Sequence, residues 1–201
     1  NLIEIHNRPI YVKYIKDEIY DRKLILYFHN DPLSMNGSSS LNDRIYLLNN
    51  CDQIIFNSLW VKKRFLQDLN LENFNYKKLL VINQSAKKNR VSFKKKKKLI
   101  TFVGKLNKSK GYDLFGNAIL MILKKHKDWK SFVIGDETRN KIYFDHKNLI
   151  QKGFLQHNKV IDYLKVSSIS VVCSRWEEPF GRTSLEAASR GSAIIISNRG
   201  G

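Results

Sequence analysis

A recurrent alternation constrains this chain most: short, nearly continuous apolar runs separated by stretches with helical spacing. LILYFH (Leu24 to His29), QIIFNS (Gln53 to Ser58) and LLVIN (Leu79 to Asn83) read as strands, and the opening NLIEIHN as the tail of another. A strand apolar along its whole length is buried on both faces, as in a parallel sheet covered by helices. SSLNDRIYLLNN and SLWVKKRFLQDL have helical spacing, with Ser40 and Ser58 placed as N-caps. The pattern lapses in the polar, basic QSAKKNRVSFKKKKK and then resumes. LITFVG (Leu99 to Gly104), SFVIG, NLIQKGFL, ISVVCS (Ile169 to Ser174) and AIIIS read as strands. Asp113 to Lys125, Lys159 to Val166 and Thr183 to Arg190 read as helices, the last stopped by Gly191. Repeated strand–helix–strand units predict an α/β chain of two Rossmann-like parallel-sheet domains. The expected organisation is a partial domain over 1–90, a basic linker over 91–98 and a second domain over 99–201.

The 201 residues lack an initiator Met, a signal-peptide pattern and any apolar run long enough to span a bilayer. The chain opens on what reads as the tail of a strand and stops in what reads as a loop. The expectation is an excised or incomplete gene product, with both domains incomplete. Cys51 and Cys173 each adjoin an apolar run and read as two buried free thiols of a reducing compartment. A net charge of +18 favours anionic partners, yet Lys, Asn and Ile are abundant throughout, so much of it reads as solvated surface. The densest run, Lys94 to Lys98, reads first as a linker edge and second as a contact for lipid phosphate.

In open parallel sheets, ligands bind beyond the carboxyl ends of the strands. After LITFVG the chain reads GKLNKSKG (Gly104 to Gly111): three lysines between two glycines, leading into a helix. Glycines permit close approach, ammonium groups supply charge and a helix N-terminus adds its positive end, which together suit a diphosphate. Alone, the same loop is also what a basic surface turn looks like. After ISVVCS comes SRWEEPFGRTSLEAA, with Glu178 in the loop, Gly181, Arg182 and Thr183 at the helix start, and Glu186 eight residues beyond Glu178. The helix-start amides suit phosphate and Glu186 suits a ribose diol. Taken singly, Glu178 also reads as a surface acid and Glu186 as a partner of the helix dipole.

The E-x7-E pattern inside EPFGRTSLEA, together with GKLNKSKG and the final SNRGG, resembles the retaining glycosyltransferases of family 4, which have the two-Rossmann GT-B fold. The resemblance covers Leu99 to Gly201 with specific motifs. It covers the first half loosely, through FHND (Phe28 to Asp31) and IIFNS (Ile54 to Ser58). It implies that Glu178 binds donor-sugar hydroxyls and helps orient the reaction, and that Glu186 holds the nucleotide ribose. Lys105 and Lys110 would neutralise the leaving diphosphate beside Gly104. The backbone from Phe180 through Gly181 and Arg182 to Thr183 would contact sugar and phosphate. The segment around Phe154 would face the base, while His29, with Asn30 beside it, would face the sugar. Lys105 stands where the family usually has Arg, which keeps the charge and loses the bidentate fork. The glycine-rich loop expected near the start of the first domain is missing.

The implied reaction is transfer of a sugar from a nucleoside-diphosphate donor to a cell-envelope saccharide or lipid-linked acceptor. It proceeds with retention of configuration, in the cytoplasm or on the inner face of a membrane. No cofactor or metal is expected: the chain contains no Asp-x-Asp pair, and lysines with a helix N-terminus supply positive charge instead. The alternatives are a basic nucleic-acid-binding protein, or an epimerase or phosphorylase of the same fold. The aromatic residues lie mostly inside apolar runs instead of interleaving with Lys and Arg on an exposed face, which argues against nucleic acid. His6, His126, His146 and His157 read as surface or packing residues. His29 also reads as a polar residue closing a strand, and HNDP as a plain turn.

Overall fold

The computed structural model describes residues 1–19, 21–70, 76–87 and 90–201. Lys88 and Asn89, in the polar, basic stretch QSAKKNRVSFKKKKK just ahead of the expected 91–98 linker, lie outside the described residues. Two compact units form. One comprises Asn1–Gln84 with Glu178–Phe180 and Gly200–Gly201, the other Ser85–Glu177 with Gly181–Arg199.

The first unit carries a four-stranded parallel sheet in the order β1 (Leu2–His6), β2 (Lys23–Phe28), β3 (Gln53–Phe56) and β4 (Leu79–Val81). Its helices are α1 (Tyr11–Glu18), α2 (Leu41–Asn50) and α3 (Leu59–Leu66). Register places Phe28 beside Phe56, ring centroids 5.7 Å apart, and Phe65 of α3 packs on both at 5.4 and 5.3 Å. All three rings are buried. Ser40 caps α2 in a full capping box with Asp43, and Ser58 caps α3 through the Val61 amide. Arg44 of α2 is buried yet satisfied: Nη1 donates to the carbonyls of Phe65 (2.7 Å) and Gln67 (2.6 Å), closing the end of α3. HNDP is more than a plain turn, since Asp31 caps a 3-10 turn over Pro32–Ser34 and pairs with Arg64 at 2.9 Å. The helix α1 was not expected; only Val12 of it is buried, so its apolar stripe is short.

The second unit is a five-stranded parallel sheet in the order β7 (Leu149–Gln151), β6 (Lys130–Ile134), β5 (Lys97–Val103), β8 (Ser167–Val172) and β9 (Ala193–Ile196). Helix α4 (Tyr112–Lys125) follows β5, α5 (His157–Val166) follows β7, and α6 (Arg182–Ser189) follows β8. Alternate residues of the sheet enter two cores. Ile100, Phe102 and Val133 meet Tyr112, Phe115, Ile119 and Leu123 of α4. Ile134 meets Val160, Ile161, Leu164 and Ala187 of α5 and α6. Two-sided burial accounts for the continuous apolar runs of β3 and β5; β9 departs from that expectation, since as the last strand of the sheet order it leaves Ile195 and Ile196 exposed. The chain runs outward from β5 to β7, then returns to β8 on the other side, so the order reverses beside β5. The loops that diverge there follow β5 and β8.

Several boundaries differ from expectation. β5 begins at Lys97, two residues inside the stretch read as linker, because the backbone pairs with β8 from Lys97 onward. Phe93–Lys95 forms a 3-10 turn. The strand in NLIQKGFL is confined to Leu149–Gln151. Cys51 is buried and its thiol is pushed up to about 12, chiefly by desolvation; Cys173 is only half-buried, with Sγ 3.1 Å from the Gly111 carbonyl. Among the described residues no helix is long and apolar enough to cross a membrane.

Phe56→Ala is expected to cost about 3–5 kcal/mol, because a fully buried ring leaves a cavity between two others. Ser40→Ala is expected to cost about 1 kcal/mol, the loss of one cap. Urea denaturation of both variants measures the contrast.

Candidate functional site

A pocket of about 430 Å³ opens at the carboxyl ends of β5, β6 and β7. Gly104, Lys105, Phe154, Thr183 and Glu186 line it, so five of the residues singled out from sequence converge there. Two glycines make the floor. The Gly104 amide donates to the Ile134 carbonyl (3.0 Å), and Gly135 follows with φ +135. A Cβ at Gly135 would stand 1.9 Å from the Gly104 carbonyl oxygen, so no side chain fits. Phe154 presents its ring to solvent, 76% exposed, beside the half-buried Leu155. An apolar face left open at a pocket rim suits a planar group.

Glu186 lies in α6 and joins two cations or potential cations. Arg182 Nε donates to its Oε1 at 2.8 Å, and His157 Nε2 lies 2.9 Å from the same oxygen. Because a carboxylate only accepts, the histidine donates here. Oε2 has no protein partner among the described residues. His157 is therefore more than a surface residue: it heads α5, which packs on α6, and it lines the pocket. Its distance of 29 residues from Glu186 left no local sequence signal.

At the start of α6, Gly181 adopts the left-handed conformation (φ 78) as N-cap. The amides of Arg182 and Thr183 follow it, where no preceding turn supplies carbonyl partners. Lys110 does not line the pocket; its amide is fixed by Asn107 Oδ1 at 3.1 Å, and Asn107 Nδ2 donates to Glu137. The Gly104–Gly111 loop is braced from β8. Arg175 and Trp176 amides both donate to the Ser109 carbonyl, and Arg175 forms a two-toothed pair with Asp113, holding that carboxyl below its usual range.

Glu178 and Phe180 belong to the first unit. Glu178 pairs with Gly200 in a parallel bridge, Gly201 N donates to the Glu178 carbonyl (2.8 Å), and Ser58 Oγ donates to the Pro179 carbonyl (2.5 Å). His29 and Asn30 also lie there, past the end of β2. Asn7, at φ 57, accepts both of their amides on Oδ1 at 3.2 Å, and Asn57 Nδ2 donates to the His29 carbonyl. The His29 ring stacks near His6, whose Nδ1 is 3.1 Å from His29 Nε2, and His6 stacks on Tyr27 at 4.4 Å. His29 Nδ1 is buried without a partner among the described residues. Burial, and secondarily His6, holds the His29 pKa below its ordinary value. His6 and Asn7 carried no sequence signal because β1 meets β2 only in the fold.

The whole arrangement, two parallel sheets with helices on their faces and a pocket at strand carboxyl ends, is the GT-B class of fold. Crystallised HepE of Anabaena in complex with UDP superposes on all of this chain at a TM-score of 0.78, with 17% identity and 60% of that chain covered. TarM superposes at 0.73 over 98% of this chain and 41% of its own, at 13% identity. Residues 83–201 match the model of the family "Glycosyl transferases group 1", and the chain belongs to that family. The putative glycosyltransferase YtcC of Bacillus subtilis (strain 168) is 26% identical across the whole chain, which covers 56% of it. The lipopolysaccharide core biosynthesis mannosyltransferase LpsB of Rhizobium meliloti (strain 1021) is 28% identical over 52% of this chain and 32% of its own length. The chain thus spans a little over half the length of YtcC.

Two outcomes follow from this geometry. Above the ordinary histidine pKa of about 6.5, His29 is neutral folded or unfolded and imposes no penalty. As pH falls through that value, the unfolded chain takes up a proton that the folded chain resists, so stability falls. Urea midpoints measured from neutral to mildly acidic pH are expected to drop less steeply for His29→Gln than for the parent. Gly135→Ala is expected to destabilise the second unit and close the pocket floor, since the clash is with backbone; circular dichroism melts of this variant check it.

Proposed function

We propose that this chain is the donor-binding part, with some of the acceptor side, of a metal-independent retaining glycosyltransferase. Its donor is a nucleoside-diphosphate sugar and its acceptor a cell-envelope saccharide or a lipid-linked glycan, met in the cytoplasm or at the inner membrane face. The observation that carries this reading is the pocket joining Gly104, Lys105, Phe154, Thr183 and Glu186. Such a pocket offers each part of a nucleoside diphosphate a chemically matched partner. The exposed Phe154 ring takes the base. Glu186 accepts from a ribose diol through Oε2, while Arg182 and His157 hold Oε1 and so fix the carboxylate plane. The diphosphate lies along Lys105 and the glycine floor toward the amides of Arg182 and Thr183, with Lys110 adding charge from the braced loop. Phe180 and Gly181 contribute backbone to sugar and phosphate. Glu178 accepts from sugar hydroxyls, and His29 with Asn30 serves the sugar.

Chemically, the anomeric carbon gains a bond to an acceptor oxygen and loses its bond to the diphosphate. Negative charge builds on the departing group. Fixed ammonium groups and amide dipoles already aimed at that position lower the barrier without rearranging. Lysine in place of arginine at position 105 supplies this charge as a point and not a fork, which favours a diphosphate that shifts as it leaves. The name of the Rhizobium meliloti relative supports an envelope saccharide as product. UDP in the HepE crystal supports a nucleoside diphosphate as ligand.

Calorimetric titration of UDP and of GDP into the chain tests this. One nucleotide is expected to bind. Glu186→Ala is expected to weaken it about 10- to 100-fold, the loss of hydrogen bonds to a charged group, and Lys105→Ala/Lys110→Ala to weaken it further as salt is lowered. Binding of neither nucleotide to a chain with a native circular dichroism spectrum, or equal binding by all three proteins, would rule the assignment out.

A further inference from the structure

The lysine run at 94–98 has a use that the donor pocket does not absorb. Its members are not equivalent. Lys96 is half-buried, and Nζ donates to the carbonyls of Leu164 (3.3 Å), Ser167 (2.8 Å) and Arg190 (2.8 Å). It ties the 90–96 segment to the ends of α5 and α6 and offsets the partial negative charge there. Lys98 pairs with Asp128. Lys95, in contrast, lines a second pocket of about 410 Å³ with Arg90, Lys165 and Arg190. One acid, Asp162, also lines it and is paired with Lys165 at 2.9 Å. Four cations against one carboxylate leave a surplus of +3 in a concavity, while Arg190 is held in place by donating Nη1 to the Lys87 carbonyl at 2.7 Å. On the same turn as Lys95, Phe93 stands 75% exposed, with Lys94 beside it.

We propose that this face of the second unit docks on an anionic lipid surface, the pocket of Arg90, Lys95, Lys165 and Arg190 taking lipid phosphate and Phe93 entering the headgroup layer. A free phosphoanion would use the cations but gain nothing from an exposed aromatic ring. A bilayer uses both, since cations seek the negative leaflet and an aromatic side chain partitions into the interface. The inference does not rest on the donor-site reading, because these residues are separate from those lining the donor pocket.

Vesicle co-sedimentation at low salt tests it, comparing phosphatidylcholine vesicles with and without phosphatidylglycerol. The parent chain is expected to enrich on the anionic vesicles. Arg90→Glu/Lys95→Glu is expected to bind roughly 25-fold more weakly, at about fivefold per basic residue near a charged surface. Phe93→Ala should lose severalfold at unchanged charge. Lys108→Glu/Lys141→Glu, with the same change in net charge elsewhere, should bind as the parent does. Equal loss in both charge-reversed proteins would overturn the proposal in favour of diffuse net charge. So would calorimetric binding of inorganic phosphate, or salt-sensitive DNA binding, without enrichment on anionic vesicles.

Discussion

The pocket of the second unit depends on two strand ends meeting where neither carries a side chain. β5 and β6 leave the sheet at Gly104 and Gly135, and the Gly104 amide bonds to the Ile134 carbonyl at 3.0 Å. A methyl group at Gly135 would lie 1.9 Å from the Gly104 oxygen. Backbone in that approach is what leaves the pocket open between Lys105 and Phe154, which both line it. The two-sided core keeps it there. α4 fixes one face of the sheet and α5 with α6 the other, so the strand ends cannot spread without unpacking buried residues.

Around that floor the electrostatics are arranged in pairs. Arg182 and His157 converge on one oxygen of Glu186 and fix its carboxylate, while among the described residues the other oxygen has no partner. Arg175, in the loop after β8, pairs with Asp113 in the first turn of α4 and donates to the Lys108 carbonyl of the loop after β5. Lys105 remains exposed at the pocket. Among the described residues no carboxylate pairs with Lys105, and the left-handed Gly181 starts α6 so that Thr183 of its first turn lines the same pocket.

Much of the fold was legible in the sequence because parallel strands here are written as short, nearly continuous apolar runs, whether buried on both faces as in β3 and β5 or largely exposed at the sheet edge as in β9. Every strand named from those runs exists, and Ser40 and Ser58 are caps. Errors lie where local pattern and tertiary pairing part company. Lys97 and Lys98 look like linker but belong to β5, with Lys97 beside Ser167 of β8, and α1 sets only Val12 and Ile15 against the core, so its stripe is short. For the site, Gly104, Lys105 and Phe154 were legible as loop residues beyond strand ends and Thr183 and Glu186 as residues of the helix after β8, and they share one pocket. His157, Gly135, His6 and Asn7 were not. Each acts through a neighbour 22 to 31 residues away in the sequence, visible only once strands and helices pack. Lys110 was equally legible, yet it lies outside the pocket lining, where only the braced loop relates it to the site.

A crystal structure of the chain grown with the nucleoside diphosphate that binds it tests the central claim most directly. The account predicts the ribose hydroxyls on Glu186, the base against Phe154, and the diphosphate between Lys105 and the amides of Arg182 and Thr183. A nucleotide bound at any other place, or at this pocket with its phosphates away from Lys105 and α6, would contradict it.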